Sequence, residues 1–398
     1  MRAGLDWSGQ IEALLAAARP APGGGLRPAL EAVADWDGFL ALARRHRLGP
    51  LIYRRLREAG AGLAPPGVEA EFQSLYFLSL RRNHLLLREL AGIASRLRSA
   101  GIEAVAYKGP LLARMIYGDI ALRESLDLDL LIRKRDVEAA HQALRDLGYE
   151  PLLKLDGARQ RALLRFDYEA PLVHKEEGTL VDLQWASPPR FLSLPAGPDA
   201  PDARYQSAAL DGGEVATLCA GDLLLVLCSH GAKHAWGRLQ WIADVAGIVG
   251  AAGDLDWDGL LERARTWRRQ RMVLLGLRLA HELLAAPLPE RVRELVAGDP
   301  QAARLARLAR ERLFDPQAGE LGVGEQTRFL AAAMDSRLDA ARFLARLALT
   351  PTPGDWEALT LPGWAMWGYY LVRPFRLAGK YVLRRGEREG GIAGDEKP

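Results

Sequence analysis

Two aspartates, Asp127 and Asp129, interrupt an apolar run that reads SLDLDLLI from Ser125 to Ile132. Side chains alternate along a strand, so both acids share one face while Leu126, Leu128 and Leu130 share the other. Their Cα atoms then stand roughly 6.5 Å apart. Carboxylates held side by side repel each other and resist desolvation, so burying them calls for a proton or a cation. For an oxygen-only site that cation is a hard divalent ion such as Mg²⁺. A third acid, Asp182, stands in a second strand-like run with Leu180 and Gln184 on its face. Laid beside the Asp127 strand, it completes a cluster of three carboxylates.

Upstream, a short apolar strand over 104–107 closes on Lys108 and Gly109, and Pro110 opens a helix-like segment to Tyr117. Glycine allows close backbone approach to a ligand, and proline suits the first helical position, where no N–H is needed. Free N–H groups and the positive dipole end at such a helix start can hold a phosphate, with Lys108 beside it. Downstream, one helix face carries His230, Lys233 and His234 at i, i+3, i+4 spacing. Gly237 is expected to separate this helix from a second one, in which Arg238, Trp241, Asp244 and Val245 repeat the spacing.

Taken together, Lys108-Gly109, Tyr117, Arg123, Ser125-x-Asp127-Leu128-Asp129-Leu130-Leu131, Leu147-Gly148-Tyr149, Val181-Asp182-Leu183-Gln184-Trp185, and His230-x-x-Lys233-His234 with Asp244 resemble the nucleotidyltransferases of the DNA polymerase β type. Within them the match is to the bacterial group of uncharacterised nucleotidyltransferase family proteins. The resemblance implies two-metal transfer of an NMP from an NTP, with two Mg²⁺ ions on Asp127, Asp129 and Asp182. Asp182 doubles as general base. Lys108, Gly109, Arg123, Ser125, Lys233, His234 and Arg238 are the implied nucleotide-binding residues, and His230 and Asp244 support them, Asp244 by orienting His234. For Arg123, contact with the triphosphate and pairing with the acids both stand as readings. For His234, phosphate or acceptor contact and a structural role stand equally. Trp185 and Trp241 read as core rather than as base-stacking platforms. Two departures from the wider pattern are Pro110, where the superfamily has Ser, and a longer interval to Asp127. The first removes a hydroxyl and an N–H from the phosphate cradle, although the Lys-Gly form is common in the resembled group.

These residues need a scaffold, and the fold expected is α+β: a small mixed β-sheet core flanked by N-terminal and C-terminal helical regions. Residues 1–100 form the N-terminal helical region, with ordered structure expected only beyond the Pro20 to Gly25 breaker. Residues 35–58 read as two short helices around a Gly-Pro step, with His46 a surface or turn residue. A long amphipathic helix over 69–99 follows, with Tyr76, Leu80 and Leu87 on one side. The catalytic unit, 101–190, reads as five short strands and two helices on one side of the sheet, with strands 170–175 and 179–185 joined by a hairpin turn. A Pro-rich connector and a polar hairpin-like piece lead into a helical domain, 191–350, that packs over the active site. The echo of Asp35-Trp36-Asp37-Gly38 in Asp256-Trp257-Asp258-Gly259 is read as a shared helix-capping solution. Residues 351–398 form an aromatic-basic segment and tail. Its favoured reading is a cover over the helical domain. The rival is an interfacial helix making peripheral membrane contact, with Trp364, Trp367 and Tyr369 toward lipid and Arg373, Arg376 and Lys380 at headgroups.

Composition narrows the function classes. With 49% hydrophobic and 26% charged residues over 398 positions, the chain is globular and exceeds one comfortable core. A net charge of +3 gives no basic patch for a long nucleic acid, so DNA is not an expected partner. Two cysteines, Cys219 and Cys228, form no disulfide framework or metal knuckle, which favours the cytoplasm. No signal peptide or transmembrane helix is read. The expected activity is Mg²⁺-dependent nucleotidyl transfer to a sugar, lipid-linked or peptide acceptor, since the resembled group is associated with capsule, exopolysaccharide or ribosomal-peptide biosynthesis. The rivals are an inactive descendant that binds nucleotide or a partner, and a toxin-like enzyme that marks tRNA or protein. Neither the base nor the oligomeric state is legible.

Overall fold

The computed structural model describes residues 8–21, 23–153, 157–186, 198, 204–315, 318–319, 321–352, 355, 359, 361, 363–373 and 376. Much of the Pro-rich connector, Lys380 and the tail beyond it lie outside the described residues, as does the side chain of Trp364.

One mixed sheet organises the molecule. Its strands are β1 (Ala104–Ala106), β2 (Asp127–Ile132), β3 (Tyr149–Pro151), β4 (Glu169–His174), β5 (Leu180–Gln184), β6 (Tyr205–Leu210) and β7 (Gly213–Leu218), in the order β3-β4-β5-β2-β1-β7-β6. The five expected strands are all present. The polar hairpin adds two more, because β7 runs parallel to β1 through Val105 and Ala216. The sheet therefore extends past residue 190, where the catalytic unit was expected to end. β2 and β5 are parallel neighbours, in a register that sets Asp127 against Leu180 and Asp129 against Asp182.

Alternation divides the two faces. Leu128, Leu130, Ile132, Val181 and Leu183 pack with Leu86, Leu90, Ile93 and Leu97 of α5 (Pro66–Ser99) and with Val137, Ala140 and Leu144 of α7 (Val137–Arg145). α6 (Gly109–Tyr117) follows β1, and α8 (Gly157–Phe166) precedes β4. The opposite face, with Val105, Tyr107, Leu131 and Leu218, joins a second core built largely from α9 (Ala220–Lys233), α10 (Leu239–Ala251) and α12 (Gln270–Leu284). Helices thus cover both faces, and the acids lie on the side of α9 and α10.

α5 spans roughly 50 Å at 1.5 Å per residue, and its most buried stripe lies beside the side that carries Tyr76, Leu80 and Leu87. Phe72, Ser79, Asn83, Leu86 and Leu90 are buried, while Tyr76, Leu80 and Leu87 are half-buried. Polar Ser79 and Asn83 occupy the stripe because they bind main-chain carbonyls, which hydrophobic spacing does not reveal. N-terminal to it lie α1 (Ser8–Ala18), α2 (Leu26–Glu31), α3 (Trp36–Arg45) and α4 (Gly49–Ala59). α1 precedes the Pro/Gly breaker and buries Ala13, Leu14 and Ala17, so ordered structure begins earlier than expected. His46 does sit in the turn after α3, but it is fully buried, and its Nδ1 accepts from the Leu239 N–H at 3.2 Å.

C-terminal to α10 come α11 (Trp257–Thr266), α12, α13 (Glu290–Ala297), α14 (Pro300–Leu313), α15 (Val323–Ala332) and α16 (Arg337–Leu349). The echoed motifs are matching caps: Asp35 accepts from Gly38 N–H and Asp256 from Gly259 N–H, each at 2.9 Å. Glycine lets the carboxylate sit close over the N–H there, since a Cβ would stand 2.3 and 2.2 Å from it and displace the capping side chain. In the C-terminal segment Tyr369 is buried against Phe166 of α8, and Arg373 is buried with Asp355. This segment thus packs on α8 through Tyr369 and also reaches α16 of the helical region, where Arg373 donates to the Leu347 carbonyl at 3.3 and 3.2 Å, so Tyr369 and Arg373 are taken up inside the protein. Among the described residues no helix is long and apolar enough to cross a membrane.

The turn from α9 to α10 relies on Ala235 and Trp236, both at positive φ (48° and 55°), rather than on Gly237. Trp236 is fully buried against Gly231 and Gly276, where a Cβ would stand 2.4 and 3.0 Å from its ring. Gly231→Ala is therefore expected to overpack this crossing and destabilise the fold by about 1–3 kcal/mol. A urea titration showing an unchanged midpoint would mean that the indole can shift without cost.

Candidate active site

β1 ends at Ala106, and Tyr107, Lys108 and Gly109 turn the chain into α6. Gly109 has φ +62°, and a Cβ there would sit 3.3 Å from the Asp127 carbonyl oxygen. Glycine thus satisfies a backbone demand that presses the Lys108 turn against β2. Pro110 follows in the first turn of α6, buried and without need of an N–H. Lys108 Nζ lies 3.6 Å from Asp129 Oδ1 and 3.4 Å from His230 Nδ1.

The segment entering β2 is clamped from two helices. Asn83 Nδ2 donates to the Arg123 carbonyl at 2.8 Å and Ser79 Oγ to the same oxygen at 3.4 Å. From α10, Gln240 Nε2 donates to the Glu124 carbonyl at 3.0 Å. The Arg123 guanidinium then makes a two-pronged pair with Asp244, Nε to Oδ1 at 2.8 Å and Nη2 to Oδ2 at 2.9 Å. Both are almost fully buried, at 9% and 1% side-chain exposure. The two readings of Arg123 are thereby resolved in part: it pairs with an acid, namely Asp244 rather than Asp127 or Asp129. Asp244 accordingly does not orient His234, as was expected, because its carboxylate is occupied by Arg123. Ser125 Oγ accepts from Arg123 Nη1 at 3.4 Å.

Past this clamp, a cavity of about 350 Å³ brings together Asp127, Asp129 and Asp182 with Lys108, Gly109, Arg123, Ser125, His230, Lys233, His234 and Arg238. Residues drawn from the β1–α6 turn, β2 and the segment before it, β5, the end of α9 and the α10 start thus meet in one place, leaving only Asp244 behind the wall. Trp241 forms part of that wall, with its ring 5.0 Å from His234 and Arg238 5.5 Å above it. Trp185 points elsewhere, donating its indole N–H to the Asp167 carbonyl at 3.0 Å.

Several lining residues were not foreseen: Glu169, Tyr168, Glu124 and Arg47. Glu169 is set opposite Gln184 by β4–β5 pairing, which no local pattern announces. Burial raises the Asp127 carboxyl above its ordinary range, and Asp129 adds to this. Asp182 is pushed up to about 7 by burial, then by Glu169, Asp129 and Asp127. Burial likewise raises Glu169. Lys233, with Nζ 3.4 Å from the Tyr168 hydroxyl, is lowered by burial. Burial drops His234 to about 3 and His230 well below its ordinary value. Both imidazoles are therefore neutral near pH 7, next to the ammonium groups that depress them.

The donor set fits a hard divalent cation in kind: oxygen ligands whose mutual repulsion and burial a cation would relieve. As the side chains stand, no three His, Cys, Asp or Glu groups among the described residues converge to ligating distance. Asp129 Oδ1 is instead turned to Gln184 Nε2 at 2.9 Å and to Lys108.

A protein-family model described as Uncharacterised nucleotidyltransferase matches residues 32–285, more than half of the chain. The chain belongs to this nucleotidyltransferase family. Among solved structures, the solution structure of the antibiotic-resistance factor ANT(2'')-Ia is similar at 13% identity and TM-score 0.35, covering 50% of this chain and 99% of that one. Comparison with curated proteins gave no match. The α+β architecture and the family agree with the expectation from the aspartate motifs. The family's matched span takes in α3 to α12, and with them both the acids and the helices that cover them.

Two outcomes follow for this nucleotidyltransferase. Asp244→Ala leaves the Arg123 charge buried and unpaired, so stability should fall by about 3–5 kcal/mol; a denaturant titration showing under ~1 kcal/mol would mean that water reaches the pair. The folded-state value of about 7 for Asp182 exceeds its ordinary 3.8, so the folded protein holds the extra proton. Its stabilising effect is full below pH 3.8 and is lost as pH rises through about 7. In EDTA, Asp182→Asn should therefore lose less Tm than the parent between these limits. Parallel Tm curves would disprove the shift.

Proposed function

We propose that this nucleotidyltransferase moves an NMP from an NTP to a non-template acceptor, in a reaction that depends on Mg²⁺. The observation that supports this reading is the meeting of Asp127, Asp129 and Asp182 with Lys108, Lys233 and Arg238 in one cavity. Asp127, Asp129 and Asp182 are the residues to hold two Mg²⁺ ions, which when bound neutralise triphosphate charge and acidify an acceptor hydroxyl.

The chain's own groups do the rest. Lys108 at the α6 start and Lys233 and Arg238 from the covering helices neutralise and orient the phosphates. His234 is neutral and offers a hydrogen bond without adding charge. Asp182, near neutrality in its proton affinity, accepts the acceptor's proton. The acceptor oxygen forms a bond to the α-phosphorus while the bond from that phosphorus to the bridging oxygen breaks. Pyrophosphate carries away the electron pair.

An acceptor has room beside this cavity. A groove of about 930 Å³ shares Glu124, Ser125 and Leu126 with it and runs along α5 past Leu75, Leu78, Arg81 and Arg82. Its lining mixes apolar side chains with Arg81, Arg82 and Arg88 and with Glu124, Glu177 and Asp211, which supports a small-molecule, lipid-linked or peptide acceptor. The C-terminal segment still exposes Trp367, Tyr370 and Leu371, the part of it that peripheral membrane contact would use.

Pyrophosphate release measured with each NTP across sugar, lipid-linked and peptide acceptors tests the proposal. Asp127→Asn and Asp129→Asn should each lower turnover by about 10²–10³-fold or more, with unchanged circular dichroism. EDTA should abolish turnover and Mg²⁺ restore it. Turnover that persists in both variants would refute the assignment.

A further inference from the structure

Asp129 is the central acid of the cluster. Asp127 neighbours it along β2, and Asp182 neighbours it across the β2–β5 pairing. Its orientation is not left to its own rotamer. The Tyr107 hydroxyl donates to Gln184 Oε1 at 2.6 Å, and Gln184 Nε2 donates to Asp129 Oδ1 at 2.9 Å. All three side chains are buried. The relay crosses three adjacent strands, from the end of β1 over β2 to β5.

The direction of each link is dictated by the next. An amide has one donating and one accepting end, and an ionised carboxylate only accepts. Turning the Gln184 amide over would aim its carbonyl at the Asp129 carboxylate, so its NH₂ must face Asp129. The carbonyl then faces Tyr107, whose hydroxyl must donate. Lys108 Nζ, 3.6 Å away, lies on the same oxygen of Asp129. Among the described residues Oδ2 receives no hydrogen bond, so the two oxygens of Asp129 are made unequal.

We propose that Tyr107 and Gln184 are positioning residues that commit Asp129 Oδ1 to the protein and leave Oδ2 for a divalent cation. This rests on the metal-dependent reading above. Groups that hold a ligating carboxylate in place commonly change metal affinity by roughly 10–100-fold when removed. The Tyr107 hydroxyl reaches Asp129 through Gln184, so the contribution it makes by that route should vanish once Gln184 is gone.

Mn²⁺ affinity measured by electron paramagnetic resonance, with Tm recorded for every variant, tests this. The parent chain should bind Mn²⁺ and Asp129→Asn should not. Gln184→Leu is expected to weaken binding roughly 10–100-fold, and Tyr107→Phe, which keeps the buried ring, should weaken it in the same direction. The double variant should bind as Gln184→Leu alone does. Parent-like Mn²⁺ affinity in folded Tyr107→Phe and Gln184→Leu, or effects that multiply in the double variant, would overturn the relay while Asp129→Asn still upholds the metal reading. Equal Mn²⁺ binding by the parent and Asp129→Asn would overturn the metal reading itself, and the relay with it.

Discussion

Carboxylates that share one face of a sheet cannot all be ionised out of water without help, and the rest of this structure is arranged around that constraint. Parallel pairing of β2 with β5 sets Asp129 beside Asp182, and the pleat adds Asp127. Glu169 arrives from β4 to raise the local negative charge further. The protein's answer within its own chain is to surround the acids with cations from other elements. Lys108 comes from the β1–α6 turn, Lys233 from the end of α9, and Arg238 from the start of α10. Burial raises the proton affinities of Asp127, Asp182 and Glu169 and lowers those of Lys233, His230 and His234, with the neighbouring charges modifying each.

Keeping like charges close requires rigid supports, and these lie outside the cavity. Asn83 and Ser79 on α5 hold the carbonyl of Arg123 while Asp244 on α10 holds its side chain. A single residue thereby ties the long helix on one face of the sheet to the covering helix on the other. A buried ion pair of this kind is weak evidence for stability in itself. Its effect here is to fix where α10 sits relative to β2. The left-handed turn through Ala235 and Trp236 then brings Arg238 back toward the acids, and the glycines facing Trp236 make room for that turn.

Legibility followed the range of the interactions concerned. The acids on β2 were readable because period-two alternation is a property of one strand. Caps at Asp35 and Asp256 were readable because a cap spans three residues. By contrast, Glu169 was not, since its place opposite Gln184 arises from β4–β5 pairing. The deepest stripe of α5 was not readable because Ser79 and Asn83 are buried for their hydrogen bonds, and hydrophobic periodicity treats such residues as solvent-facing. His46 lies in the turn expected for it, but its burial was not readable for the same reason, since it accepts from Leu239 across 193 residues of sequence. α1 was overlooked because the Pro/Gly breaker that ends it also resembles the start of order.

By itself the sequence determined the motif chemistry: aspartates at strand spacing, a Lys-Gly turn before a helix, and a His/Lys face, with the family and the α+β class that these imply. Local sterics and side-chain periodicity suffice for such features, because neighbouring residues dictate them. Only the tertiary structure decided that Asp182 lies beside Asp129, that Asp244 is spent on Arg123 rather than on His234, and that Gln184 binds Asp129 Oδ1. Those outcomes depend on strand register and helix placement, where distant groups compete for the same few buried partners, and no single stretch of chain carries the result of that competition.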